Sequence, residues 1–321
     1  MYNDTNVKFR RTHTMNGILN LKKPKGITSH DCVSKCRKIF GTKRVGHAGT
    51  LDPMATGVLP VLIGNACSAQ EELMNHDKTY VAGIRLGMTT DTGDVTGEVL
   101  SECKDIPEAT QVELAVKSFV GEYDQIPPMY SALKVDGKKL YELAREGVTV
   151  ERKARRITVY SAKILDNPEK TDYIVEFSVS KGTYIRTLAE DIGSKLGCGA
   201  CLYSLERTVC GGFDEKASVT IEELDSMKQA ENGDELLEKS LISCEKAFEH
   251  LPCVKLSQFY SGLCKNGQEI YLSRAKIDER LFAVQQRCRI YDSDGTFFAI
   301  GERRDYPAGH AVKAVMRFDT K

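Results

Sequence analysis

The 321-residue sequence predicts an α/β (α+β) protein that ends in a small β-rich module. Three observations carry this. Runs with the two-residue alternation of a half-buried strand, such as Tyr80, Ala82, Ile84 and Leu86 or Tyr173, Val175, Phe177 and Val179, are interleaved with runs of helical spacing. Helix-start signals precede some of the latter, because Thr28 with Asp31 and Thr220 with Glu223 each fit a capping box. From Pro252 onward short alternating runs recur, Cys288 to Tyr291 and Phe297 to Ile300 among them, separated by the turn signals Asp294-Gly295 and Pro307-Ala308-Gly309.

Taken in order, residues 1–14 are polar and read as a disordered leader ending before Met15. Asn16 to Leu21 reads as a strand broken by Lys23-Pro24-Lys25-Gly26, and the helix after Thr28 carries Val33, Cys36 and Phe40 on one face. Gly41 to Gly64 is rich in Gly, Thr and Pro and reads as a loop. It also carries Leu51, Val58, Leu59, Val61 and Leu62, so it is expected to pack inward. Asp91 and Asp94 lack the ligand spacing of a calcium loop and read as turn formers. Val112, Ala115, Val116 and Phe119 mark a helix stopped by Gly121. The stretch from Tyr123 to Arg156 holds Pro127-Pro128, an exposed Tyr130 and a short basic helix closed by Gly147. The strand ending at Val179 leads into a helix striped by Ile185, Leu188, Ala189, Ile192 and Leu196 and ended by Gly197 and Gly199. The Glu-rich segment up to His250 reads as linking helices.

A composition of 41% hydrophobic and 28% charged residues is that of a globular protein with room for one large domain and a small one. No apolar run reaches the length of a membrane span and no hydrophobic signal segment is visible, so the expectation is a cytoplasmic protein. Eleven cysteines in such a chain point to a reducing compartment rather than to disulfides. Cys198 and Cys201 form a C-x-x-C without a second pair or matching histidines, so no metal is expected, and the two read as small apolar residues at a Gly-rich turn. The formal charge is zero, yet residues 1–50 carry eleven Lys or Arg against two Asp, and Lys134 to Arg156 eight against four acids. Such stripes are either solvated faces or sites for a phosphate backbone, which responds to local contacts rather than to net charge.

The residues with chemical potential are few. Gly46-His47-Ala48-Gly49-Thr50-Leu51-Asp52-Pro53 places one carboxylate between turn residues, either as a plain Asp-Pro turn or as a group held against a reacting carbon. Arg186 opens a helix after the small-residue turn Ser180 to Tyr184, and an arginine beside Asp52 would favour its ionised form.

The string GHAGTLDPMATGVLP, from Gly46 to Pro60, resembles the catalytic motif of TruB-type pseudouridine synthases. The resemblance continues in family order through NGILNLKKPKG from Asn16, DKTY from Asp77, Thr90 to Asp94, Ile126 to Gly147, and SKGTYIRT from Ser180, and so spans nearly the whole chain from Met15. It implies a mixed, mostly antiparallel sheet of the pseudouridine synthase type with flanking helices over residues 15–250. An RNA-gripping insertion is implied at about 123–156, and a PUA-like RNA-binding domain at 251–321.

It also implies isomerisation of uridine 55 in the T-loop of tRNA, with the target base flipped into a pocket and no cofactor. Asp52 would be the catalytic aspartate, with Arg186 as its partner. Tyr80 would stack on the base, Tyr184 and Leu205 would line its pocket, and His47 would support the rearranged loop. Lys23 and Pro24 would pack beneath, and Lys134, Lys138, Lys139 and Arg145 would meet the RNA backbone. Glu206 departs from the family pattern of two arginines after the leucine, whereas Arg207 keeps it. The expected partner is the tRNA T-arm, for a monomeric enzyme that needs no guide RNA and no membrane. The competing readings are a guide-RNA-dependent pseudouridine synthase subunit and a non-catalytic tRNA-binding or folding protein.

Overall fold

The computed structural model describes residues 15–318 apart from positions 132 and 136, so the expected leader and the side chain of Lys134 lie outside the described residues. A ten-stranded sheet, counted among the described residues, organises the chain up to about residue 242. Its main path runs Leu241–Ile242, Gly17–Lys23, Thr56–Ile63, Ala200–Cys210, Lys78–Leu86, Asp172–Val179, Arg155–Glu169 and Gly121–Gln125. Neighbours are antiparallel throughout except where Glu206 and Arg207 face Thr56 and Gly57 in parallel. The mixed, mostly antiparallel sheet is therefore present.

The segment read as a packed loop over Gly41 to Gly64 is corrected: it holds two strands, Val45–His47 and Thr56–Ile63, which pair with each other. The second lacks two-residue alternation because both of its faces are covered. Leu59, Val61 and Ile63 pack with Leu19, Leu21 and the helix Ser29–Ile39, while Val58 and Leu62 pack with Ile18, Ala66 and Phe248. Gly57 sits at φ +96°, and an added Cβ there would stand 2.3 Å from the Arg207 carbonyl, so the parallel crossing requires glycine. The long strand Arg155–Glu169 escaped the sequence reading, which treated its start as part of the basic stretch. Only Ile157 and Val159 along it are fully buried, so its apolar signal is short.

Both expected capping boxes form, at Thr28 with Asp31 and at Thr220 with Glu223. The helix Ile185–Leu196 buries Ile185, Leu188, Ala189 and Ile192 against the sheet and ends at Gly197, which is left-handed at φ +77°. Removing one such aliphatic side chain costs about 2–5 kcal/mol. This packing fixes the first turn of the helix, where Arg186 sits.

Among the described residues a second sheet of five strands, in the order Cys253–Lys255, Arg287–Tyr291, Phe297–Tyr306, Gly309–Arg317 and Ile270–Tyr271, forms the C-terminal part. It has its own core of Val254, Cys264, Ile290, Phe298 and Val312. Ile300 and Met316 instead join Ile18, Val58 and Leu62, which seats this sheet on the face of the large sheet opposite the helix Ser29–Ile39. Asn65 Nδ2 donates to the Phe318 carbonyl at 3.0 Å, and Arg287 pairs with Glu72 across the same junction.

Candidate active site

The loop carrying Asp52 hangs between the paired strands Val45–His47 and Thr56–Ile63 and is pinned from below. Lys23 is fully buried, and its Nζ donates to the carbonyls of Ala55 at 2.7 Å, Pro24 at 3.0 Å and Pro53 at 3.4 Å. Burial lowers the Lys23 pKa from its usual value, but three carbonyls still take its protons. Ser29 Oγ accepts from the Leu51 amide at 2.9 Å, and the Ala55 amide donates back to the Asp52 carbonyl at 3.0 Å. Asp52 is thus a turn residue as well as a presented carboxylate.

Arg186 meets that carboxylate. Its side chain is 6% exposed, and Nη2 lies 3.0 Å from Asp52 Oδ2. Nη2 also donates to the Tyr130 carbonyl at 2.7 Å and Nη1 to the Thr92 carbonyl at 2.9 Å. Asp94, itself buried, places Oδ2 4.0 Å from Nη1. Burial pushes the Asp52 carboxyl above its ordinary 3.8; the Arg186 charge opposes this, Asp94 adds to it and Lys23 opposes it. Asp52 is therefore a half-buried carboxylate held against a buried cation, with 38% of its side chain exposed.

The cleft, of about 340 Å³, is lined among others by Asp52, Tyr80, Tyr184, Arg186, Leu205 and Arg207. Tyr80 and Arg207 are cross-strand partners. Burial raises the Tyr80 phenol, with the adjoining Arg207 guanidinium opposing, so the hydroxyl stays protonated at neutral pH. Arg207, 1% exposed, donates to the carbonyls of Val58 at 2.7 Å and Gly49 at 3.0 Å, tying the cleft wall to the Asp52 loop. Leu205 and Arg207 share one face of their strand, so Glu206 projects to the other. There it stands 3.7 Å from Lys22, which also pairs with Glu215. The residue that departs from the family pattern thus belongs to an ion-pair cluster behind the sheet.

The structure brings together Asp52, Tyr80, Tyr184, Arg186 and Leu205 over the support of Lys23 and half-buried Pro24. Among the described side chains, it does not bring His47, Lys138, Lys139 or Arg145 into the cleft lining. His47 is half-buried at the end of its strand, burial lowers its pKa, and its Nδ1 has no hydrogen-bond partner among the described residues. Lys138 is 63% exposed and stands 3.8 Å from Glu146, while the Lys139 and Arg145 cations lie 5.3 and 5.5 Å from the Tyr141 ring centre.

Two readings are corrected. Tyr130 is half-buried rather than exposed, because it lines the cleft and its carbonyl holds Arg186. Asp94 does form a turn, accepting from the Thr96 amide at 2.9 Å, but its other oxygen faces Arg186. Only the string Thr90 to Asp94 within the family motif hinted at more than a turn. Lys78, Ser131 and Gln125 were also missed, although each lies in or beside a motif string. Burial raises the thiol of Cys201 to about 11. Among the described residues no group of three His, Cys, Asp or Glu side chains is placed to hold a metal ion.

A half-buried aspartate facing an arginine, beside a tyrosine and a leucine on a mixed, mostly antiparallel sheet, is the arrangement that the resemblance to pseudouridine synthases implies. The chain belongs to the TruB family: residues 37–185 match the model of the TruB family pseudouridylate synthase N-terminal domain, and 186–249 that of the tRNA pseudouridylate synthase B C-terminal domain. A tRNA pseudouridine synthase B of Clostridium perfringens is 42% identical over 90% of this chain and 95% of its own. One of Alkaliphilus oremlandii is 45% identical over 91% and 95%. Among solved structures, a Cbf5-Nop10-Gar1 complex matches with a TM-score of 0.71 and 28% identity over 95% of this chain and 85% of that one. An H/ACA RNP bound to a substrate RNA containing 2′-deoxyuridine matches with 0.70 and 25% over 96% and 86%.

Proposed function

We propose that this enzyme isomerises uridine 55 in the T-loop of tRNA to pseudouridine, with Asp52 as the catalytic carboxylate. One observation carries the assignment: the Asp52 carboxylate lies 3.0 Å from buried Arg186 at the floor of a cleft that Tyr80, Tyr184 and Leu205 line. The reaction breaks the bond from uracil N1 to the ribose, rotates the base and forms a bond from C5 to the same ribose carbon. The C5 proton leaves and N1 gains one, so no redox partner or transferred group is required. Asp52 serves by attacking the ribose or the base, or by taking a ribose proton. Tyr80 stacks on the base and assists proton transfer; stacking of this kind contributes about 1–3 kcal/mol per base. The target must leave its loop to reach this depth, as loop bases in RNA can.

In this reading residues 15–250 form the catalytic domain and His47 supports the rearranged loop nucleotides. Lys134, Lys138, Lys139 and Arg145 on the arm at about 123–156 meet the T-arm backbone, and the sheet within 251–321 is a PUA-like RNA-binding domain. The enzyme acts as a monomer in the cytoplasm; among the described residues no helix is long and apolar enough to cross a membrane. The second reading, a subunit working with a guide RNA, draws on the likeness to H/ACA RNP structures. The arm from Ile126 to Gly147 and the match to 95% of the length of the tRNA-directed relatives favour the first. Site-resolved mapping of an unguided tRNA transcript incubated with the pure enzyme separates them. Pseudouridine at position 55 is expected, and an unmodified transcript would transfer support to the guide-dependent reading.

A further inference from the structure

Gln125 is the last residue of the edge strand Gly121–Gln125, directly before Ile126-Pro127-Pro128 and the basic arm. A glutamine at an edge is usually solvated, yet this one is 2% exposed. Its amide reaches across to the start of the helix Ile185–Leu196. Oε1 accepts from the Tyr184 amide at 2.8 Å, and Nε2 donates to the Tyr184 carbonyl at 3.1 Å and to the Tyr123 hydroxyl at 2.9 Å. Tyr184 has an extended backbone, so Gln125 pairs with it on both sides as a neighbouring strand would.

Tyr184 is the residue before the helix, and its carbonyl also accepts from the Leu188 amide at 3.0 Å. Its side chain has no capping bond to the helix, so the Gln125 contact adds to the core packing of Ile185 and Leu188 in setting this first turn. Two residues on, Arg186 aims at Asp52. The segment after Gln125 returns to the same place, because the Tyr130 carbonyl takes Nη2 of Arg186 at 2.7 Å. Between the two clamps, Pro127 and Pro128 stiffen the connection.

We infer that Gln125 is a positioning residue for the reaction: its amide fixes the Tyr184 backbone at the head of the catalytic helix and thereby the aim of Arg186 on Asp52. This rests on the reading of the cleft as the catalytic site. Gln125 touches no reacting atom. Its effect is on chemistry rather than on RNA affinity, since the groups it orients lie at the cleft floor and the exposed cations lie on the arm.

The test compares single-turnover pseudouridine formation and RNA binding for Gln125→Ala, Gln125→Glu, Tyr123→Phe and Asp52→Asn in the full chain, each checked for folding by thermal melting. Gln125→Ala is expected to slow the chemical step roughly ten- to a hundredfold with unchanged RNA affinity, the scale of a small misplacement of reacting groups. Gln125→Glu keeps the shape but offers the Tyr184 carbonyl a donor only when protonated. Its rate relative to wild type should therefore rise as the pH falls, which a merely structural role would not produce. Tyr123→Phe removes the hydroxyl, leaves the Tyr184 clamp in place and should turn over near wild type. The inference is overturned if either folded Gln125 variant matches wild type at neutral pH, if Tyr123→Phe loses as much as Gln125→Ala, or if both Gln125 variants fail to fold, which would make Gln125 a stability residue. Turnover by Asp52→Asn would instead sink the site reading itself; an inactive Asp52→Asn beside fully active Gln125 variants would sink only the role of Gln125.

Discussion

The cleft floor and the basic arm hold their charges in opposite ways. At the floor Arg186 is 6% exposed and meets two carbonyls and a carboxylate within 3.0 Å. On the arm Lys138 is 63% exposed, with its acidic neighbour Glu146 at 3.8 Å. Two unit charges 4 Å apart interact by about 1 kcal/mol in water and about 4 kcal/mol at the dielectric typical near a protein surface. The floor therefore sets the protonation and aim of individual groups. The arm supplies cations whose effects are small, roughly additive and screened by salt.

The largest effect should come from the floor. Arg186→Gln removes the cation facing Asp52, and single-turnover pseudouridine formation is expected to fall by about 10²–10³ with little change in RNA affinity. A variant that binds RNA poorly but reacts normally when saturated would erase the contrast between the two regions. Next comes the buried wall. Arg207→Met strands the carbonyls of Val58 and Gly49, and urea unfolding should show a loss of roughly 2–4 kcal/mol. An unchanged midpoint would mean that the guanidinium does not hold the loop.

Replacing Lys138, Lys139 and Arg145 by Ala should weaken RNA binding and reduce the slope of log affinity against log salt by about 2 to 3, while the rate at saturation is kept. An unchanged slope returns these residues to a solvated face. The smallest effect is in pH. If the Asp52 carboxylate is the active form, the chemical rate is lost as pH falls through the Asp52 pKa, which burial holds above the ordinary carboxylate value. Because the Arg186 charge opposes the upward shift, Arg186→Gln should move that acid limb to higher pH. A limb that stays in place would uncouple the pair.

The same division decides what could be read in advance. Alternating strands such as Tyr80 to Leu86 were legible because one local pattern specifies them. The strand Thr56–Ile63 was not, since burial on both faces erases alternation and its Gly and Pro imitate a loop. Asp52, Tyr80, Tyr184, Arg186 and Leu205 were named from motif strings, yet their meeting in one cleft depends on strands and a helix that are distant in sequence. Asp94 read as a turn former, and Gln125 carried no signal of its own. Their partners, Arg186 in the first turn of a helix and Tyr184 just before it, lie 59 or more positions away, which no local spacing reports. The arm was visible as charge, but its stacking of Lys139 and Arg145 about Tyr141 was not.

The central claim is that Asp52 carries the chemistry, and the most direct measurement is pseudouridine formation at position 55 of a T-arm hairpin by Asp52→Asn. Asparagine keeps the size and the turn and removes the charge. The expected result is RNA binding largely intact with no pseudouridine formed, and turnover like that of the wild type would contradict the account.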